Sequence, residues 1–222
     1  MPHYFEPGDP ISPDGLEEFD VSLAGQPARV ASAPGVFSAR RLDPGTAVLL
    51  RFEARDGGAP PGRGDLVDLG CGWGPIALTL ARLAPEARVW AVDVNRRALA
   101  LTALNAERLG LGNVSAVSPD AIPPDLEVDL LWSNPPIRVG KQALRQLLRH
   151  WLGRLRPGAH ADLVAQKHLG ADSLIGWLSA QPDWSAAKQA SAKGYRVIRV
   201  ARAEAAAPGQ APQDEASRFG PK

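Results

Sequence analysis

The stretch from Asp65 to Asp93 leaves this chain few folds to choose from. Asp65-Leu66-Val67-Asp68-Leu69 is a short apolar run with the length of a buried strand, and Gly70-Cys71-Gly72-Trp73-Gly74 follows at once. Pro75 then opens a helical run, Ile76-Ala77-Leu78-Thr79-Leu80-Ala81, and proline is well placed in a first helical turn. A second apolar run, Arg88-Val89-Trp90-Ala91-Val92, ends on Asp93. Strand, glycine loop, helix, strand and terminal acid form one βαβ unit. The same alternation continues: strands are expected at 65–69, 88–92, 113–118, 128–132 and 161–166, with helices at 75–84, 95–109 and 141–155. A helix at 171–180 and a strand at 195–201 close the series. Strands alternating with helices predict an α/β fold with a doubly wound, mostly parallel, Rossmann-like sheet.

The rest of the chain is less regular. Residues 1–14 are polar and proline-rich and read as a flexible arm; 203–222, rich in Ala, Pro, Gln and Gly, read as a disordered tail. Between them 15–202 form one domain. Phe19, Val21 and Leu23 alternate before Gly25-Gln26-Pro27 and Val30, the pattern of an N-terminal hairpin. Thr46 is a candidate cap for a helix over 47–54, and 56–62 read as a loop. At 222 residues, 45% hydrophobic and 22% charged, the chain can bury a large core. One cysteine excludes an internal disulfide. No apolar run reaches the ~20 residues of a membrane span. The first residues lack a basic segment followed by an apolar core, so no leader is expected and a cytoplasmic location follows.

The glycine spacing selects the ligand. A dinucleotide loop is G-x-G-x-x-G and seats a pyrophosphate on the helix start. Here the glycines fall at 70, 72 and 74, and Pro75 removes an N–H that a phosphate would use. Asp68 puts a carboxylate where a cationic group is welcome. S-adenosylmethionine, with an ammonium and a sulfonium but no phosphate, fits these features. Asp93, about 20 residues past the loop, is placed to accept from a ribose diol; a helix cap is its plain alternative, and Asn95 can be that cap instead. Asp120 can accept from an adenine amine beside the backbone of Ala121, or be a turn residue after Pro119. Cys71 reads as a small packing residue within the loop rather than a thiol nucleophile. No metal ligand set is expected.

Ser133-Asn134-Pro135-Pro136 follows the apolar run Val128-Asp129-Leu130-Leu131-Trp132. Pro135 restricts Asn134 to extended backbone. The two prolines bring carbonyl acceptors without N–H donors. A rigid turn carrying an amide oxygen and a bare carbonyl can hold both hydrogens of a planar –NH2 group and leave the nitrogen lone pair to attack. An ordinary two-proline loop is the alternative. Farther on, Lys141, Arg145 and Arg149 share one helical stripe, with Leu144, Leu147, Leu148, Trp151 and Leu155 on the buried face. The stripe reads either as a solvated surface or, joined by Arg138, as a phosphate track. A net charge of +1 and pI near 8.0 do not mark a dedicated nucleic-acid binder.

These segments carry a resemblance. The chain resembles class I S-adenosylmethionine-dependent methyltransferases, and more narrowly the small methyltransferase-domain family that includes the RsmC-type ribosomal RNA guanine-N2 methyltransferases. The blocks that match are Val67–Ile76, Val92-Asp93-Val94-Asn95 and Ser133–Lys141. Gly35-Val36-Phe37-Ser38, Leu42-Asp43-Pro44-Gly45-Thr46 and Lys193-Gly194-Tyr195-Arg196-Val197 support them. The resemblance implies a seven-stranded sheet and a cofactor held by Asp68, Gly70, Cys71, Gly72, Gly74, Asp93, Val94, Asn95, Asp120, Ala121 and Asn134. It also implies methyl transfer at Asn134, Pro135 and Pro136, with RNA substrate near Phe37, Ile137, Arg138, Lys141, Arg145 and Arg149. Two features depart from the pattern. Ile137 stands where many amino methyltransferases place an aromatic residue, and the chain is short for the second, degenerate domain of better-known RsmC-type enzymes. A protein glutamine amide or a small molecule is thus an alternative substrate, and a non-catalytic partner subunit an alternative role.

Overall fold

A computed structural model describes residues 15–204. The arm expected at 1–14 and the tail expected at 203–222, apart from its first two residues, lie outside the described residues. The hairpin is present as β1, Glu17–Leu23, and β2, Gln26–Ser32. Its turn is Ala24-Gly25, with φ of 52° and 75°, the primed geometry that suits the twist of a hairpin. Gln26 and Pro27, expected in the turn, instead pair with Leu23 and Ser22.

Helix α1 spans Pro44–Phe52 and starts before the expected 47–54. Pro44 occupies its first turn and Asp43 is the cap, with Oδ2 accepting from the N–H groups of Gly45 (2.7 Å) and Thr46 (3.1 Å). Thr46 is therefore inside the helix, not its cap. A π turn, Glu53–Gly57, extends α1 into the stretch expected as a loop.

The main sheet has seven strands: β3 Asp65–Leu69, β4 Arg88–Val92, β5 Val114–Val117, β6 Val128–Ser133, β7 Leu155–Gln166, β8 Trp184–Ala192 and β9 Tyr195–Arg202. Their order is β5-β4-β3-β6-β7-β9-β8. Strands β3 to β7 run parallel, and β9 is antiparallel to both of its neighbours. Helices α2 Pro75–Leu83, α3 Arg96–Arg108, α4 Lys141–Leu152 and α5 Ala171–Ser179 complete the fold. This is the expected mostly parallel, doubly wound sheet with an N-terminal hairpin. Strand β8 was not expected from its own residues. Strand β7 begins six residues ahead of the expected 161, with an irregular register opposite Val128 and Leu130. Leu155, assigned in sequence to the α4 face, is its first residue.

Alternate residues of the strands feed different cores, as the pleat requires. Val67, Leu69 and Leu131 pack against Leu144, Leu148 and Trp151 of α4 and Leu174 of α5. Leu66, Leu130 and Val164 pack against Val48, Leu49 and Phe52 of α1 and Ile76 and Leu80 of α2. A third cluster joins the hairpin to Trp73, Leu78 and Leu101. Within it, buried Asn105 accepts from Ala31 N–H (2.7 Å) and donates to the carbonyls of Ala31 and Trp73 (2.9 Å each). One amide thus ties the hairpin, α3 and the glycine loop together.

A buried ionic cluster fastens the end of α1 to the sheet. Arg199 grips Asp162 through Nε and Nη2, both at 2.8 Å, and lies 3.7 Å from Glu53 Oε2. Burial, then the charge of Asp162, pushes the Glu53 carboxyl up to about 8.

Candidate active site

The sheet order reverses between β3 and β6, and ligands of such sheets bind beyond the carboxyl ends at that switch point. Four adjacent parallel strands, β5-β4-β3-β6, end on the same rim. Asp120, Asp93, Gly70 and Asn134 follow them respectively. Ser133, fully buried, donates from Oγ to the Leu69 carbonyl at 2.6 Å and so clamps the Asn-Pro-Pro turn beside the glycine loop.

Gly70, Gly72 and Gly74 have φ of 82°, 58° and 98°, values that favour glycine. A Cβ at Gly74 would also come within 3.0 Å of Thr102 Oγ1. The loop folds back on β4: the N–H groups of Gly70 and Cys71 donate to the Val92 carbonyl at 2.8 and 3.1 Å. Asp93 accepts from the N–H of Gly72 through Oδ2 (3.1 Å) and from that of Asn95 through Oδ1 (2.9 Å). Burial raises the Asp93 pKa, while the N–H groups of Asn95, Gly72 and Val94 hold it down. The expected ribose acceptor is thus also a fastener of the loop, with lone pairs to spare on both oxygens.

Asp68 is fully buried under the N-terminus of α2. Its Oδ2 accepts from Ala77 N–H at 2.9 Å, and Oδ1 has no partner. Burial pushes this carboxyl up to about 8 against the pull of the Ala77 bond, and the Asp93 charge adds to the rise. An orphaned carboxylate oxygen below the loop suits a cationic ligand group.

Other expected contacts take different places. Asn95 is the α3 cap: its side chain accepts from Arg97 N–H (3.0 Å) and donates to the Gly35 carbonyl (2.9 Å). That amide is used within the protein, so Asn95 enters through its structural alternative. Cys71 is buried, and burial above all pushes its thiol up. It belongs to the core cluster of Ile76 and Leu80, as a packing residue does. Val94 is 50% exposed beside Asp93. Asp120 and Ala121 form an exposed 3₁₀ turn with Pro119.

A narrow cleft is lined by Phe37, Ser38, Asp43, Thr46, the loop from Gly70 to Trp73, Pro75, Ile76 and Asn134. Asn134 Nδ2 lies 2.9 Å from Asp43 Oδ2 and 3.1 Å from Thr46 Oγ1. A carboxylate only accepts, so the amide end against it is the –NH2. Its Oδ1 accepts from no described residue and is the end left for a ligand. The Pro135 carbonyl, expected bare, already accepts from Ile137 N–H at 2.8 Å; a carbonyl has a second lone pair. Phe37, 47% exposed, supplies an aromatic face at the cleft. Asp43 and Thr46 are the residues that sequence reasoning missed as site components. Their only signal was membership of the Leu42–Thr46 block.

Ile137, Arg138, Lys141 and Arg145 do not line this cleft. They line a separate cavity of about 260 Å³ between α4 and α5. Arg149 lines neither; it stacks on Trp177, 5.2 Å from the ring centroid, and donates to Gln181 at 3.4 Å. Among the described residues no three His, Cys, Asp or Glu side chains are grouped to hold a metal ion, and no helix is long and apolar enough to cross a membrane.

The methyltransferase small domain family matches residues 27–199. The chain belongs to that family. It is 38% identical over 192 residues to a ribosomal RNA small subunit methyltransferase C of Pseudomonas entomophila, covering 84% of this chain and 54% of the relative. The chain spans about half the length of the curated methyltransferase C relatives it matches. It is also 31% identical to the Bacillus subtilis protein YbxB, over 89% of this chain and 97% of that one. Among solved structures, the T. thermophilus 16S rRNA N2 G1207 methyltransferase RsmC, in complex with AdoMet and guanosine, superposes with a TM-score of 0.68. Its identity is 26%, over 88% of this chain and 52% of that chain.

Proposed function

We propose that the protein is an S-adenosylmethionine-dependent N-methyltransferase whose acceptor is an exocyclic amine, the N2 of guanine in ribosomal RNA. One observation carries the reading. The Asn134 amide is fixed by Asp43 and Thr46, with its oxygen left for a ligand, in the same cleft as the Gly70–Gly74 loop. The kinship with methyltransferase C proteins and the RsmC complex supports the choice of guanine.

Asp68, the glycine loop, Asp93, Val94, Asp120 and Ala121 would hold the cofactor. The orphaned Asp68 oxygen suits its ammonium, Asp93 its ribose, and Val94 with Asp120 and Ala121 its adenine. When bound, S-adenosylmethionine supplies an electrophilic methyl group on a sulfonium. Asn134 Oδ1 and the second lone pair of the Pro135 carbonyl accept the two amine hydrogens. An amine so held would keep its nitrogen lone pair free for the methyl group, while Pro136 keeps the turn rigid and Phe37 offers a face to the base. The rate comes from positioning and preorganised dipoles.

The test is transfer of a radiolabelled methyl group into RNA and protein from cells lacking this gene, followed by nucleoside analysis. Label in N2-methylguanosine is expected. Label confined to protein would move the substrate to a glutamine amide, and no label in either would leave a small-molecule substrate or a non-catalytic partner role.

A further inference from the structure

The cavity between α4 and α5 begins at the residue after Pro136. Its apolar side is formed by Ile137, Leu144, Leu169 and Leu174. Arg138, Lys141 and Arg145 supply its charge, and no carboxylate lines it. At about 260 Å³ it has room for a nucleobase. Arg138 and Lys141 are exposed and make no ion pair among the described residues; Arg145 also stacks on Trp177 at 5.3 Å. Both helices start at the cavity, at Gly140 and Gly170, and neither start has a side-chain cap. First-turn N–H groups of both are without intrahelical acceptors, which favours an anion there. The acidic residue in these first turns, Asp172, is held by Arg196 at 2.8 Å.

We infer that this cavity is a second nucleotide subsite, which seats an unpaired RNA nucleotide flanking the target base. The base lies against Leu169 and Leu174, and its phosphate is held by Arg138, Lys141 and the N-terminus of α4. The inference rests on the reading of RNA as substrate. An apolar pocket with a cationic rim fits a base plus a phosphate better than a free anion, which would not use four apolar walls. Continuity with the Asn-Pro-Pro turn ties its occupant to the chain that carries the target. Arg149 lies outside the subsite.

The experiment measures binding of a short single-stranded RNA containing guanine, across a salt series and without methyl donor, to wild type, R138Q/K141Q and R149Q. The double variant should bind at least several-fold more weakly. Its log–log salt slope should be flatter by about 1.4, from two lost contacts on a single strand. R149Q should match wild type. An abasic nucleotide scanned along the RNA should weaken wild-type binding at one position next to the target with no change of slope. Equal losses in R149Q, no loss in the double variant, no abasic effect, or no RNA binding by wild type would each overturn the subsite. The readout is separate from catalysis. If the variants differ as expected but wild type transfers no methyl to RNA, the reaction reading fails and the subsite stands. If methyl transfer is seen and all three proteins bind alike, the reverse holds.

Discussion

Asp43 should set the rate of a reaction whose atoms it never touches. Its Oδ2 receives three donors: the N–H groups of Gly45 and Thr46 and the amide of Asn134. The first two cap α1 and the third orients Asn134. Asp43→Ala should therefore have two separable effects. Loss of the cap costs about 1 kcal/mol, a fall of roughly 2–4 °C in Tm for a chain of this size. Loss of a charge-assisted hydrogen bond to Asn134 costs about 1.5–3 kcal/mol, or roughly 10- to 150-fold in kcat once the amide is free to turn. Asp43→Asn keeps an equally good cap but a neutral acceptor of about half the strength. It should melt like wild type with only a several-fold loss of rate. Thr46→Val, removing the 3.1 Å partner, should cost less than Asp43→Ala. The assay is methyl transfer to guanosine-containing RNA beside thermal melting and cofactor calorimetry. If Asp43→Ala keeps kcat within about threefold, or loses cofactor affinity in step with rate, the orienting role is wrong.

Three further outcomes follow from the carboxyl groups. Asp68 is held protonated at neutral pH by a pKa of about 8, and an ammonium beside it would drive the proton off. Cofactor binding at pH 7 should release close to one proton, read by calorimetry in buffers of different ionisation enthalpy, and tighten as pH rises toward 8. Asp93→Ala should weaken cofactor binding by about 1–3 kcal/mol and also loosen the loop, since the N–H groups of Gly72 and Asn95 lose their acceptor; unchanged affinity would remove Asp93 from the ribose. The Glu53 carboxyl is raised from its usual value to about 8, so the stability it contributes is complete below about 4.5 and lost as pH climbs to 8. Glu53→Gln should flatten the fall of Tm between pH 5 and 8.5 in part, Asp68 being responsible for another share of the same sign; an unaltered profile would contradict the burial argument.

The sequence was most readable where the chain is apolar and closely punctuated. The βαβ unit from Asp65 to Val92 has the strand bounds expected, because the strands are continuous apolar runs and glycines and Pro75 mark the turn between them. Strand β8 was hidden because Trp184–Ala192 is mostly small and exposed, as an edge strand can be, and shows no alternation. The Lys193-Gly194 turn, with φ of 49° and 79°, was its one local sign. Pro157 and Gly158 masked the early start of β7. At the site, glycine loop and Asn-Pro-Pro were visible as local spacings. Asp43 and Thr46 were not, since they lie 91 and 88 residues from Asn134 and meet it only through the fold. Helical spacing put Arg149 on a stripe with Lys141 and Arg145. It could not show that the cavity beside α5 takes in Lys141 and Arg145 and leaves Arg149 outside.

Asn134 itself gives the most direct measurement. Asn134→Ala should leave affinity for S-adenosylmethionine nearly unchanged, because the loop, Asp68 and Asp93 remain in place, while kcat for methyl transfer to RNA falls by at least about 100-fold. Turnover surviving within a few-fold of wild type, with the cofactor bound as tightly, would make Asn-Pro-Pro a structural turn and contradict the assignment of the amine-holding group.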